Sequence, residues 1–222
     1  MKIILLLIVS SSVYSFSFNE FFNISDNPNF EKIQTVKERK EVFFKYLLPI
    51  IKKENKRIMQ LRKKIQTTNN KQWLKKITKK YYAKNKEDLL SRVNYIPVSL
   101  VLAQAANESN WGRSRFAKYY NNFFGLWCFE KGCGVVPKNR NNNKKHEVAI
   151  FSSLQEAVSS YMLTLNRHNS YQKLRDIRLT FNNKTLNGSK LAEGLEKYSG
   201  IGHNYIKSLK DIIRVNKLSR FD

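Results

Sequence analysis

Residues 97–125, PVSLVLAQAANESNWGRSRFAKYYNNFFG, decide the fold. From Val98 to Ala106 the residues are small, aliphatic or uncharged. Pro97 suits the first turn of a helix. Val98, Val101 and Ala105 recur at spacings of three and four, which predicts an apolar helical face. Glu108 continues that face, and Gly112 offers a stop just beyond it. A carboxylate on a face meant for burial is out of pattern. Burial disfavours the charged form, so such a glutamate tends to keep its proton. A protonated carboxyl beside a cleft is what glycoside cleavage needs as its general acid. The plainer alternative is a solvated glutamate at a helix end, since a perturbed carboxylate only suggests function.

The neighbours favour the chemical reading. Trp111 can flank the acid with apolar bulk. Asn121, Asn122, Phe123, Phe124 and Gly125 form a polar, aromatic, turn-prone cluster suited to a sugar site. Each has a structural alternative: Trp111 and Phe124 can be core, and Asn-Asn is common in turns.

The string NESNWGRSRFAKYYNNFFGLWC resembles the glucosaminidase family of peptidoglycan hydrolases, glycoside hydrolase family 73-like. That family carries an acid in E-S-x-W-G-x-S, followed by an N-x-F-G turn. Within it the resemblance is nearest to bacterial Bax-type proteins. The likeness reaches back to VKERKEVFFKYLLPIIKKENKRI and forward through FSSLQEAVSSYMLTLNRHNSY and EKYSGIGHNYIKSL. It implies a lysozyme-like, mostly helical α+β fold with a small β-hairpin. It also implies an endo-β-N-acetylglucosaminidase acting on the bond between N-acetylglucosamine and N-acetylmuramic acid in peptidoglycan glycan strands. Glu108 matches the catalytic acid; Trp111, Asn122 and Phe124 fall at substrate-binding positions.

The second carboxylate of a glycosidase is not evident. In other family members it lies on the hairpin, but no acid here falls in an equivalent motif. Glu130 and Glu147 are the candidates, and each could be merely solvated. A third possibility is that the substrate's N-acetyl group stabilises the developing charge instead. Near the end, the family's Y-A-T-D-P-x-Y corresponds to Tyr198-Ser-Gly-Ile-Gly-His-Asn-Tyr205, one residue longer and without Asp-Pro. Tyr198 resembles the active-site tyrosine. Tyr205 is either a substrate contact or core. The departures keep open a noncatalytic peptidoglycan-binding protein, and fold analogy leaves a muramidase or lytic transglycosylase open.

Residues 1–17 read as a signal peptide: Lys2, an apolar run from Ile3 to Val9, then serines, with cleavage after Ser15 or Ser17. A retained N-terminal anchor is the alternative. The run is too short for a membrane span, so the expected location is the periplasm or cell envelope. Cys128 and Cys133 can close a small loop in an oxidising compartment or stay as buried thiols. Bax-type proteins carry a similar pair, which favours the disulfide. His146, His168 and His203 show no metal-ligand spacing, so neither metal nor cofactor is expected.

A net charge of +24, from 41 basic and 17 acidic residues, implies an anionic partner. Charge alone suggests nucleic acid, but no nucleic-acid motif appears, and anionic cell-envelope components fit equally well. The loop from Lys138 to Lys145 is nearly all Lys, Arg and Asn and is expected to stay solvated. The chain is expected to divide into a basic helical region, 18–92, and a compact catalytic domain, 93–222. The first should carry an apolar stripe of Phe43, Leu47, Ile50, Ile51, Ile58, Leu61 and Ile65, kinked at Pro49 and packed on the second. A hairpin is expected from Trp127–Phe129 and Val148–Phe151. A capping box of Ser153 and Glu156 should start the following helix.

Overall fold

A computed structural model describes residues 27–137, 145–182 and 184–222. The signal-peptide reading and most of the basic loop 138–145 therefore lie outside the described residues.

Helix α1, Val36–Thr67, is the longest element and runs on through Pro49. Thr35 caps it by accepting from the Glu38 amide. Phe43, Leu47, Ile51, Ile58 and Ile65 are buried as expected, while Ile50 and Leu61 are only half-buried. Glu54 fills the gap in the stripe and is itself buried, held by Arg57 and by the Gln155 amide. The stripe packs on two later helices, α4 (Val98–Ser109) and α6 (Leu154–Arg167). The basic region thus shares one core with the rest of the chain. Helices α2, Lys71–Lys80, and α3, Lys86–Arg92, return the chain from α1 to α4.

Helix α4 is the axis of the fold. Its residues from Val98 to Ala106 are all buried, so it has no single inner face. Its contacts are with α1, α8 (Gly188–Leu191), α9 (His203–Val215) and the 3-10 turn Leu218–Phe221. Pro97 is the residue before its first turn and offers no side-chain cap. Asp222 supplies one instead, accepting from the Ser99 amide at 2.7 Å and the Ser99 hydroxyl at 2.6 Å. The helix stops three residues before Gly112. Asn110, Trp111 and Gly112 take successive positive φ values of 50°, 58° and 81°, and Ser109 Oγ accepts the Gly112 amide.

A short helix α5, Arg115–Tyr120, leads into the sheet. The expected hairpin is a three-stranded antiparallel sheet of order β1-β3-β2: Trp127–Cys128, Gly134–Val135 and Glu147–Ala149. The extra strand arises because the Cys128–Cys133 disulfide turns the chain back onto the far edge of β3. Only glycine fits at Gly134, where a Cβ would lie 2.1 Å from the Val148 carbonyl oxygen.

Helix α6 buries Leu154, Ala157, Val158, Tyr161 and Leu165. Ser153 caps it, but Glu156 reaches back to the amide and hydroxyl of Ser152, so the box is displaced by one residue. A 3-10 turn, Asn169–Tyr171, then joins α6 to α7, Gln172–Leu179. Arg178 is buried and donates to Asn166 and to the Ser91 and Arg92 carbonyls, fastening α7 to the end of α3. Asn187 caps α8. Leu218 lies past the end of α9, in the last 3-10 turn. No helix among the described residues is long and apolar enough to cross a membrane.

Candidate active site

Helix α4 emerges from the core at its C-terminal end, and Glu108 is where it emerges: Ala105 and Ala106 are buried, Asn107 is exposed and Glu108 half-buried. Its carboxyl is held above the ordinary range, first by burial. Hydrogen bonds from Tyr205 and Asn107 oppose that shift without cancelling it. The Asn107 amide lies 3.4 Å from Oε1.

A chain of hydrogen bonds stands behind Glu108. Tyr161, on α6, donates to Gln104 Oε1 at 2.5 Å. Gln104 Nε2 donates to the Tyr205 hydroxyl at 2.9 Å. The Tyr205 hydroxyl, from α9, faces the Glu108 carboxyl as a donor. Gln104 and Glu108 are four residues apart, so α4 presents both on one side. Gln104 and Tyr161 are fully buried and Tyr205 nearly so. Every polar atom in the relay has a partner, as buried polar groups require.

Two more tyrosines complete a neutral cage. Tyr198 stacks on Tyr205, with ring centroids 5.6 Å apart and planes at 5°. Tyr171 lies 5.8 Å from Tyr198. Burial, with the nearby Glu108 charge, pushes the Tyr171 phenol up to about 12. Burial also raises Tyr198 and Tyr205 well above the usual phenol range, helped at Tyr198 by the neighbouring Tyr205 and Tyr161 and then by Glu108, and at Tyr205 by Glu108. All these phenols stay protonated at neutral pH and can act as donors.

The turn 122–125 forms the other wall. A Cβ on Gly125 would sit 3.2 Å from Glu108 Oε2, and its φ is +62°. The backbone therefore passes as close to the acid as glycine allows. Asn122 holds this turn. Its amide donates to the Leu126 and Ala149 carbonyls at 2.9 Å each, and its oxygen accepts from Phe124 and Leu126. It is buried with its hydrogen-bonding capacity filled, which makes it a strut of the turn rather than a sugar ligand. Phe124 is likewise buried, its ring stacked on Tyr161 at 4.1 Å, while its carbonyl accepts from the Tyr198 hydroxyl at 2.7 Å. Trp111 packs edge-on against Phe43 and Phe44 of α1, under Lys40.

The two candidate second carboxylates stand on the sheet. Glu147 is buried, and its two oxygens accept from the Gly132 and Gly134 amides at 3.1 and 2.9 Å. It clasps the disulfide loop. Ligand atoms of Glu147, Cys128 and Cys133 lie within 4.8 Å of one another, but the sulfurs are joined to each other. Glu130 is exposed, in the loop that the disulfide closes. Among the described residues, no carboxylate contributes to the shift of Glu108. Gln104, Tyr161 and Tyr171 were not foreseen as parts of the site. Only Gln104 carried a signal, its spacing of four from the acid.

Comparisons with known proteins bear on the family and the fold. The family model described as "Glucosaminidase: Mannosyl-glycoprotein endo-beta-N-acetylglucosaminidase" matches residues 87–218. Protein bax of Escherichia coli (strain K12) is 31% identical over 199 residues, covering 82% of this chain and 71% of that protein. Among solved structures, the catalytic domain of the autolysin Auto from Listeria monocytogenes superposes with a TM-score of 0.50 at 18% identity. That match covers 86% of this chain and 92% of the other, and shows a shared fold.

Proposed function

The chain belongs to the glucosaminidase family, and on that premise we propose that it is an exported peptidoglycan hydrolase that cleaves the β-1,4 bond following N-acetylglucosamine. Glu108 is the general acid. The observation that carries this is its setting: one half-buried carboxyl, raised by burial, inside a cage of protonated phenols. Such a group keeps its proton to higher pH than an ordinary glutamate and can give it to the leaving sugar oxygen as the bond breaks. Tyr205 positions the acid. Tyr198, whose hydroxyl donates to the Phe124 carbonyl, ties the turn to the cage and can still accept from the substrate or the attacking water.

The engagement of Glu147 by the Gly132 and Gly134 amides and the exposure of Glu130 favour a substrate-assisted step. The N-acetyl oxygen of the bound sugar attacks the anomeric carbon as Glu108 protonates the departing oxygen. Water then opens the cyclic intermediate, with the Glu108 carboxylate as base. Export is supported by the N-terminal apolar segment and by the Cys128–Cys133 disulfide, which suits an oxidising compartment.

Digestion of purified peptidoglycan followed by mass analysis tests the reading. New N-acetylglucosamine reducing ends are expected. N-acetylmuramic acid reducing ends would make it a muramidase, anhydro ends a lytic transglycosylase, and binding without product a noncatalytic envelope protein.

A further inference from the structure

We propose that Trp127, backed by His146, is a stacking platform for an N-acetylated sugar ring of the glycan strand, next to the ring whose bond is cleaved. This rests on the reading of Glu108 as the acid of a glycan-cleaving site. The two sequence alternatives for aromatic residues, core or site, resolve differently along the chain. Phe124, Tyr161 and Tyr205 are buried, whereas Trp127 is 56% exposed. A tryptophan left this far in water informs about function only through its setting.

Three features define that setting. First, the indole is held as a fixed plane. The His146 imidazole lies parallel to it, with centroids 4.1 Å apart and planes at 16°. Second, its backbone is anchored. Trp127 pairs with Val148 across β1 and β3, and Cys128 is tied to Cys133. The preceding Leu126 carbonyl accepts from the Ala149 amide at 2.9 Å. Third, it follows the turn that meets the acid. A Cβ on Gly125 would lie 3.2 Å from Glu108 Oε2, and Trp127 is two residues on, so the Cα atoms of Gly125 and Trp127 are at most about 7 Å apart.

The chemistry of the partner fits. A β-1,4-linked hexosamine has its polar groups around the ring edge and axial C–H bonds on its faces. Those faces are apolar and flat enough to cover an indole. A plane already held by His146 and the sheet loses little freedom on binding, so the contact is pre-organised. The platform would then act mainly on binding and register, and little on the bond-breaking step.

The test uses the full chain. Soluble β-1,4-linked N-acetylglucosamine oligomers are titrated into the Glu108→Gln protein by calorimetry and tryptophan fluorescence. Cleavage of solubilised glycan is followed in a Glu108 background. Trp127→Ala should weaken binding roughly three- to tenfold and raise KM by a similar factor, with kcat nearly kept. Trp127→Tyr should recover most of the loss, and an unchanged circular dichroism spectrum excludes misfolding. Unaltered Kd and KM in Trp127→Ala, with glycan still cleaved, would overturn the platform and leave the functional reading standing. Failure of the unsubstituted chain to bind or cleave any such glycan would remove both.

Discussion

Tyr205→Phe separates the role of the relay from that of the acid. It deletes one oxygen and keeps the ring, so the stack on Tyr198 survives. The lost oxygen served two groups. Gln104, fully buried, loses the acceptor for its Nε2, while its Oε1 still receives the Tyr161 proton. A buried donor left without a partner costs about 1–3 kcal/mol. At about 2 kcal/mol, Tm should fall by about 4–8 °C in a chain of this size. Glu108 loses a hydrogen bond that favours its charged form, so its pKa, already raised by burial, should rise further. A general acid works protonated, and activity is lost as pH climbs through its pKa. The alkaline limb of kcat/KM should therefore move to higher pH even as the protein becomes less stable. The assay is the pH dependence of kcat/KM on solubilised glycan, beside urea unfolding. A limb that stays fixed or moves to lower pH would refute the claim that Tyr205 holds Glu108 through its charged form.

Glu108→Gln should lower activity about a hundredfold or more and leave the fold intact. The same variant should be more stable than the unsubstituted chain above the ordinary carboxylate range and no more stable below it, because burial penalises only the ionised form; denaturant titrations at acid and neutral pH decide this. Cys128 and Cys133 should resist alkylation without reductant, and reduction should cost no more than about 2–3 kcal/mol, since the loop closed is short. Glu147→Gln should loosen the disulfide loop, lowering stability by about 2 kcal/mol with a modest loss of activity; a loss as deep as that of Glu108→Gln, with unchanged unfolding, would instead make Glu147 the second catalytic carboxylate.

How far the site could be read from sequence varied with how local each cause was. The end of α4 could be read, since spacing and a nearby glycine mark it, although the left-handed turn starts at Asn110 rather than Gly112. Helix α4 is buried all round, so periodicity could not single out Glu108; its emergence from the core does. Asn122 shows a different limit. A buried strut and a sugar ligand need the same amide, and only the positions of the Leu126 and Ala149 carbonyls tell them apart. The third strand could not be foreseen because Gly134–Val135 has too few residues to carry a pattern, and its place depends on a disulfide. Tyr171 sits in a 3-10 turn with no periodicity to announce it.

What brings the tyrosines to one carboxyl is tertiary. Tyr161 comes from α6, Tyr171 from the turn after it, Tyr198 from the turn before α9, and Tyr205 from α9 itself. None is near Glu108 in sequence, and all four phenols are displaced upward by its charge as well as by burial. The raised pKa of Glu108 is therefore set by burial in the packed fold rather than by the motif around it. Ionising the acid is unfavourable in that surrounding, which the fold tolerates because α4 buries nearly its whole length. The same packing makes α1 indispensable. Phe43, Leu47 and Ile51 cover α4 and α6 from outside the segment matched by the family model, 87–218, so losing α1 would open the core behind the acid before it touched the acid itself.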